Sequence, residues 1–266
     1  EDNKPAFWNF GSMTKTPLSS SPPQQVATKI APYPWRVTPG NVVKSVQGSL
    51  RRLEQDKLAI AQAHWSTSKY QPFQEQAFWE GLGDAYDLGF CEAVGVSNYG
   101  PKQLRKVATY FADRNVPLAV AQIQYSLMTY QEAQFMNEAC DEVGCRLISY
   151  SPLCLGLLTG KYDLDNLPRQ GNPRRQLFRE LLPGAQGLLQ TLEVIAKDYG
   201  KTQSQVAINW AMCKGTVPIP GARTLKMAEE NLAASGWSLK QDAVDTLDRA
   251  ALQVSKPMIQ NIFQTK

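Results

Sequence analysis

What most constrains this chain is a repeated alternation of two patterns. Six short runs are apolar on both faces: Val26–Ile30, Leu58–Trp65, Ala93–Tyr99, Leu118–Ser126, Arg146–Pro152 and Thr216–Ala222. Two-sided apolar runs of this length are what parallel strands covered on each side require. Between them lie longer stretches with helical spacing, beginning with Val43, Val46, Leu50 and Leu53 and continuing through Glu75–Gly89, Pro101–Arg114, Glu132–Gly144 and Ala185–Gly200. The chain is therefore expected to be an α/β protein built from consecutive βα units.

Local punctuation agrees. Pro39 and Pro101 suit the first turn of a helix, where a missing N–H costs nothing. Thr202-x-x-Gln205 and Ser238-x-x-Gln241 have the form of capping boxes, and Gly89, Gly144 and Gly200 stand where helices should stop. Polar residues mark the C-terminal ends of the six runs: Lys29, His64, Asn98, Gln122, Ser151 and Gly221, at successive gaps of 35, 34, 24, 29 and 70. A (β/α)₈ barrel of about 250 residues allots roughly 30 to each unit. The spacing thus predicts a single TIM barrel domain over 1–266. The excess in the last gap falls on Leu164–Gly184, rich in Pro, Gly, Asn and Arg, which is expected to be a loop over the barrel mouth.

Composition removes several function classes. Net charge is +4 with the basic residues scattered, densest at Arg51-Arg52 and Arg174-Arg175, so there is no basic stripe for a nucleic acid. The five cysteines form no CxxC pair, and His64 is the single histidine, so no metal site is expected. No run approaches the roughly 20 apolar residues of a membrane span. A GxSxG elbow is lacking, which argues against hydrolase chemistry.

The polar strand ends sit in the motifs VATKI, AHWS, GVSNY, AQIQYSL, ISYSPLCLGLLTGKY and IPGARTLKMAEEN. Six motifs in this order resemble the aldo-keto reductase superfamily of NADP-linked oxidoreductases, most nearly its plant and algal plastid-type branch. The resemblance implies an NADPH-dependent reduction of aldehydes or ketones to alcohols, with NADPH and a small carbonyl compound as partners.

Residue by residue, the resemblance implies that Lys29 lowers the pKa of a catalytic tyrosine and that His64 orients the substrate carbonyl. Ser97, Asn98 and Gln122 match groups that bind the nicotinamide carboxamide, and Tyr150 matches the aromatic beneath its ring. Ser151, Leu153 and Gly156 match the pyrophosphate loop, while Gly221, Ala222, Arg223, Glu230 and Asn231 match the adenosine end. Arg223 stands where a 2′-phosphate would lie, and a guanidinium suits a phosphate dianion. Each position has a plainer alternative: a solvated charge for Lys29, a core histidine for His64, a helix cap ahead of Pro101 for Ser97-Asn98, core packing for Tyr150.

The chain departs from the family before Val26. Phe7–Gly11 resembles the family's first strand, yet only Ser12–Gln25 lies between it and Val26, and 18 residues from Gly11 to Lys29 are far fewer than the roughly 60 that two βα units need. About two βα elements are expected to be missing, and with them the family's catalytic aspartate and tyrosine. Two readings follow: a reductase whose sequence lacks a segment, or a catalytically impaired pseudoenzyme serving as an NADP-binding or structural subunit, with a protein partner covering the incomplete barrel. Residence in the chloroplast is expected from the family branch alone; the cytoplasm is the default otherwise.

Overall fold

The computed structural model describes residues 25–258 and Thr265. Phe7–Gly11, and Ser12–Gln25 apart from Gln25, lie outside the described residues. Six strands form one sheet, β1 (Ala27–Ile30), β2 (Leu58–Ala63), β3 (Cys91–Ser97), β4 (Leu118–Gln124), β5 (Arg146–Tyr150) and β6 (Val217–Ile219), in the order of the sequence. Every neighbouring pair is parallel, as the two-sided apolar runs predict. The sheet curls into part of a barrel, with β1 and β6 as its edges among the described residues.

Helices cover the outer face: α1 (Pro39–Leu53), α2 (Pro72–Asp87), α3 (Pro101–Asp113), the short α4 (Tyr130–Ala133) and α5 (Met136–Val143), α6 (Arg174–Asp198), α7 (Gln203–Cys213), α8 (Leu225–Leu232) and α9 (Gln241–Leu252). Thr38 caps α1 by accepting from the Asn41 amide, and Pro39 and Pro101 stand in first turns as expected. The capping box at Thr202 and Gln205 forms with both of its hydrogen bonds. α1 and α2 approach closely because Gly81 has no side chain: a Cβ there would come within 2.6 Å of the Pro39 carbonyl and of the Val42 Cβ.

Strand parity assigns the two faces of the sheet. Ile30, Ala61, Ala63, Val94, Val96, Ala121, Ile123 and Leu147 are all at most 2 % exposed and belong to the core they form with the helices. Lys29, Gln62, Gly95, Ser97, Gln122, Gln124 and Tyr150 have the opposite parity and form the concave face. Apolar packing thus fills the outer face, while on the inner face Ile60, Val120 and Ile148 share the surface with polar residues that gather toward the C-terminal ends of the strands.

Three expectations are corrected. Leu164–Gly184 is not one loop, because α6 begins at Arg174 and carries Pro183 within it. Phe178, Leu181, Leu182, Ala185, Leu188 and Leu192 recur at helical spacing and are buried, and that apolar stripe outweighs the lost N–H of one proline. Ser238 caps nothing: α9 starts at Gln241 behind Lys240, with no side-chain cap. The helix expected over Glu132–Gly144 is interrupted at Gln134-Phe135, leaving α4 and α5 separate.

Candidate functional site

The concave face and the loops leaving its strands gather most of the residues singled out by sequence. Lys29, near the end of β1, reaches across the interior to β4, its Nζ donating to Gln122 Oε1 at 3.2 Å. His64 follows β2 directly, and its amide donates to the Ile30 carbonyl, extending the pairing of β1 and β2 by one residue. Burial pushes the Lys29 ammonium below its usual range. Burial also lowers His64, and the nearby Lys29 charge lowers it further, so the imidazole is neutral at neutral pH.

Asn98 links three strands. Its backbone is left-handed at φ 60°, which asparagine tolerates better than most residues. The side chain donates from Nδ2 to the His64 carbonyl at 3.1 Å and to Ser97 Oγ at 3.3 Å, and its Oδ1 accepts from the Tyr150 hydroxyl at 2.8 Å. Its amide donates to the Gln122 carbonyl at 2.8 Å. The helix-cap alternative fails here, since α3 is preceded by Gly100 and has no side-chain cap. Nor is Tyr150 simply packed in the core: it is partly exposed, with its hydroxyl committed to Asn98.

After β5 the backbone bends sharply. Ser151, Cys154, Leu155 and Gly156 all have positive φ, from 49° to 100°. Three non-glycine residues in the left-handed region within six positions concentrate strain in this loop, and the Cys154 and Gly156 amides donate to the Ser151 and Leu153 carbonyls, both at 2.9 Å. Arg174 at the start of α6 fastens the loop, Nη1 donating to the Leu155 carbonyl at 2.8 Å, and is itself held by Asn172 Oδ1, which accepts from its amide and Nε. In the sequence Arg174 reads as one of the scattered surface charges, with no signal for this role.

Gly221, Ala222 and Arg223 lie beyond β6 and are exposed, leading to Thr224, which caps α8 by accepting from Met227 N. Asn231 Nδ2 donates to the Gly221 carbonyl at 3.4 Å, and Glu230 lies beside it on α8. These residues form a separate exposed group, distinct from the buried Lys29–Asn98–Gln122 cluster. Leu153 stands at the turn into the 3-10 helix Cys154–Thr159. The far end of the chain also reaches the site: Thr265 is buried, donates its amide to the Asn98 carbonyl at 3.1 Å, and accepts from the Gly100 amide at 2.9 Å. No signal in the sequence placed it there.

Chemically, the concave face and the strand ends bring together a half-buried ammonium, a neutral imidazole and the four amide side chains of Gln62, Asn98, Gln122 and Gln124. The donor set fits a dinucleotide. The carboxamide side chains of Asn98 and Gln122 are buried, the Arg174 guanidinium fastens the bent loop, and Arg223, with no partner among the described residues, stands just before the start of α8.

Comparison with known proteins shows the family and the fold. The family model described as "Aldo/keto reductase family" matches residues 14–252. The pyridoxal reductase, chloroplastic, of Arabidopsis thaliana is 53 % identical over 242 residues, covering 91 % of this chain and 66 % of that protein. An uncharacterized oxidoreductase of Mycobacterium tuberculosis is 32 % identical over 231 residues, 85 % of this chain and 68 % of its own. The chain thus spans about two thirds of the length of these curated relatives. Among solved structures, a Bombyx mori aldo-keto reductase in complex with NADP superposes with a TM-score of 0.64 at 20 % identity, covering 88 % of this chain and 70 % of that one. A thermostable aldo-keto reductase bound to the inhibitor epalrestat gives 0.65 at 22 %, covering 84 % and 70 %. At these identities the two structures share the fold.

Proposed function

The chain belongs to the aldo/keto reductase family, and on that premise we propose that it takes part in NADPH-dependent reduction of a ring-bearing aldehyde of the pyridoxal type. The observation that carries this is the convergence of Lys29, His64, Asn98 and Gln122 on one opening of the concave face. Its support from relatives is the Arabidopsis pyridoxal reductase, from whose printed name residence in the chloroplast is also proposed for this chain. The NADP complex of the silkworm protein supports the choice of cofactor.

NADPH, when bound, supplies a hydride to the carbonyl carbon. The chain's own residues do the rest. Asn98 and Gln122 take the carboxamide of the nicotinamide, fixing which ring face is offered, and Ser97 stands behind Asn98 with its hydroxyl on the same amide. Tyr150, oriented by its hydrogen bond to Asn98, provides the flat surface under the ring. The bent loop of Ser151, Leu153 and Gly156, with Arg174, takes the pyrophosphate. Arg223 takes the 2′-phosphate, and Gly221, Ala222, Glu230 and Asn231 frame the adenosine.

At the carbonyl oxygen, neutral His64 donates a hydrogen bond, and the Lys29 ammonium stabilises the charge that develops there. Desolvation makes Lys29 a readier proton source than an exposed lysine. The mouth beside them is aromatic: Tyr33 stacks on Trp35 at 4.8 Å, and Trp65 donates to the Tyr70 hydroxyl. Such a rim suits a planar ring. The alternative of a non-catalytic subunit finds no support among the relatives, and the expected loss of two βα elements stays a proposal about residues outside those described.

The test is NADPH consumption, followed at 340 nm, with pyridoxal and with 4-nitrobenzaldehyde. Lys29→Met should lower turnover by about 10²-fold or more, the scale of general acid catalysis, with NADPH binding preserved. Absence of turnover in the parent chain, or a Lys29→Met variant equal to it, would overturn the proposal.

A further inference from the structure

One buried carboxylate has no role in the chemistry above. Glu75, in the first turn of α2, is 4 % exposed, and no salt bridge among the described residues involves it. A buried charge without a counter-ion persists only where donors replace its water. Five do so. Oε2 accepts from the Thr67 amide at 2.5 Å and from Thr67 Oγ1 at 3.2 Å; Oε1 accepts from Ser66 Oγ at 2.9 Å and from Gln103 Nε2 at 3.0 Å; the Tyr99 hydroxyl donates to the same carboxylate. Tyr99 is in turn held from behind by Trp79 Nε1 at 3.0 Å.

The donors come from two places. Ser66 and Thr67 belong to the loop leaving β2, two and three residues after His64. Tyr99 follows Asn98 in the loop leaving β3, and Gln103 stands in the first turn of the helix that loop feeds. Besides the carboxylate, the two loops are joined by the Asn98 bond to the His64 carbonyl, by a hydrogen bond between the Ser66 and Tyr99 side chains and by the strand pairing beneath.

We propose that Glu75 is a positioning residue: its carboxylate ties the His64 loop to the Ser97–Asn98 loop, holding the carbonyl-facing and nicotinamide-facing halves of the site in register. This rests on the reductase reading above for its functional consequence, but not for its structural one. Carboxylates accept only, so replacing one oxygen by an amide NH₂ sets donor against donor at a residue only 4 % exposed. Both loops must then rearrange, and errors of about 1 Å in a site of this kind cost roughly 10²-fold in rate.

The experiment compares the parent chain with Glu75→Gln, and with Gln103→Leu as a milder variant that deletes one donor and keeps the carboxylate. Hydrogen exchange by mass spectrometry is read over residues 64–68 and 97–100. NADPH and NADH affinities are read by fluorescence, and kcat and KM by NADPH consumption. The expected result is faster exchange, by roughly tenfold, in both segments together, with β4 and β5 unchanged. Both cofactor affinities should fall to the same extent, because the 2′-phosphate group near Arg223 is remote, and kcat should fall more than the aldehyde KM rises. Gln103→Leu should give the same pattern at smaller amplitude. Exchange that quickens in one segment only, or uniformly through the chain with affinities and kcat unchanged, would overturn the proposal and reduce Glu75 to a stabilising residue. If the parent binds no NADPH the reductase reading fails, and the exchange data alone decide the link between the loops; if Glu75→Gln does not fold, Gln103→Leu decides it.

Discussion

Adding a single methyl group at Gly95 should destabilise the sheet by an amount that can be worked out from distances. Gly95 lies in the middle of β3, in one row with Gln62 and Lys29. A Cβ built there meets Val120 Cγ2 at 2.6 Å, Gln62 Cγ at 2.8 Å and the Val120 carbonyl at 3.1 Å. Carbon atoms in contact prefer about 3.5–4.0 Å, so both side-chain contacts are short by about 1 Å and the third partner is backbone. Overpacking of this kind costs about 1–3 kcal/mol. Taking about 2 kcal/mol, with about 2–4 °C lost per kcal/mol in a domain of this size, Gly95→Ala should lower the thermal midpoint by about 4–8 °C. In urea the midpoint should fall with the slope unchanged, since the surface exposed on unfolding is the same. The cause is separable from general fragility by a second change. Val120→Ala removes the offending Cγ2, so the double variant should lose less than the two singles together, by about 0.5–3 kcal/mol of coupling. A Gly95→Ala midpoint equal to the parent's, or strict additivity in the double variant, would refute this account of the concave face.

Because His64 is the only histidine, a tag-free chain should show one imidazole signal in proton NMR, titrating below the usual value of about 6.5; a midpoint at or above that value would contradict the burial and the Lys29 charge, and Lys29→Met should move it upward. The sign for stability follows: folded His64 binds its proton less readily than unfolded, so its contribution is complete above about pH 6.5 and is lost as pH falls through the depressed folded value, a component that His64→Gln should remove from a pH series of urea midpoints. Asn98→Ala and Asn98→Gly both lose the bonds to His64 and Tyr150 and should weaken NADPH binding about tenfold, but alanine should be less stable than glycine by about 1–2 kcal/mol, because Asn98 has φ 60°; equal stabilities in chemical denaturation would sink that argument. Asp248 on α9 accepts from Trp210 Nε1, Lys214 Nζ and the Tyr130 hydroxyl. Asp248→Ala therefore strands a partly buried ammonium and should cost about 3 kcal/mol, which a denaturation midpoint close to the parent's would disprove.

The strands were legible in the sequence because parallel strands covered by helices need apolar residues on both sides, a signal that no amphipathic surface strand produces. The polar strand ends were legible for the complementary reason: Lys29, His64, Asn98 and Gln122 interrupt apolar runs just where the chain leaves the sheet. What sequence could not show was how those groups meet. Asn98 read equally well as a helix cap, and only the left-handed turn directs its amide to His64 and Tyr150. Glu75 gave no signal, since a glutamate in the first turn of a helix is ordinary and its burial depends on a loop 28 residues away closing over it. The start of α6 was obscured by Pro183, whose local cost is overruled by apolar packing that no single window reveals. Thr265 lies against Gly100 through a contact 165 residues long in sequence.

The division of the sheet into a largely apolar outer face and an inner face that carries the polar residues of the strand ends has a consequence for how such a protein can change. Residues 30, 61, 63, 94, 96, 121 and 123 hold the fold, while their immediate neighbours 29, 62, 95, 97, 122 and 124 face the opening. Fold and chemistry are thus written into alternate letters of the same short words. A substitution at the outer parity is felt as stability, and one at the inner parity also changes what the interior can hold, Gly95 being fixed by its packing on Val120 as well. A one-residue insertion within any strand would exchange the two alphabets at once, which confines tolerable length changes to the loops beyond the strand ends.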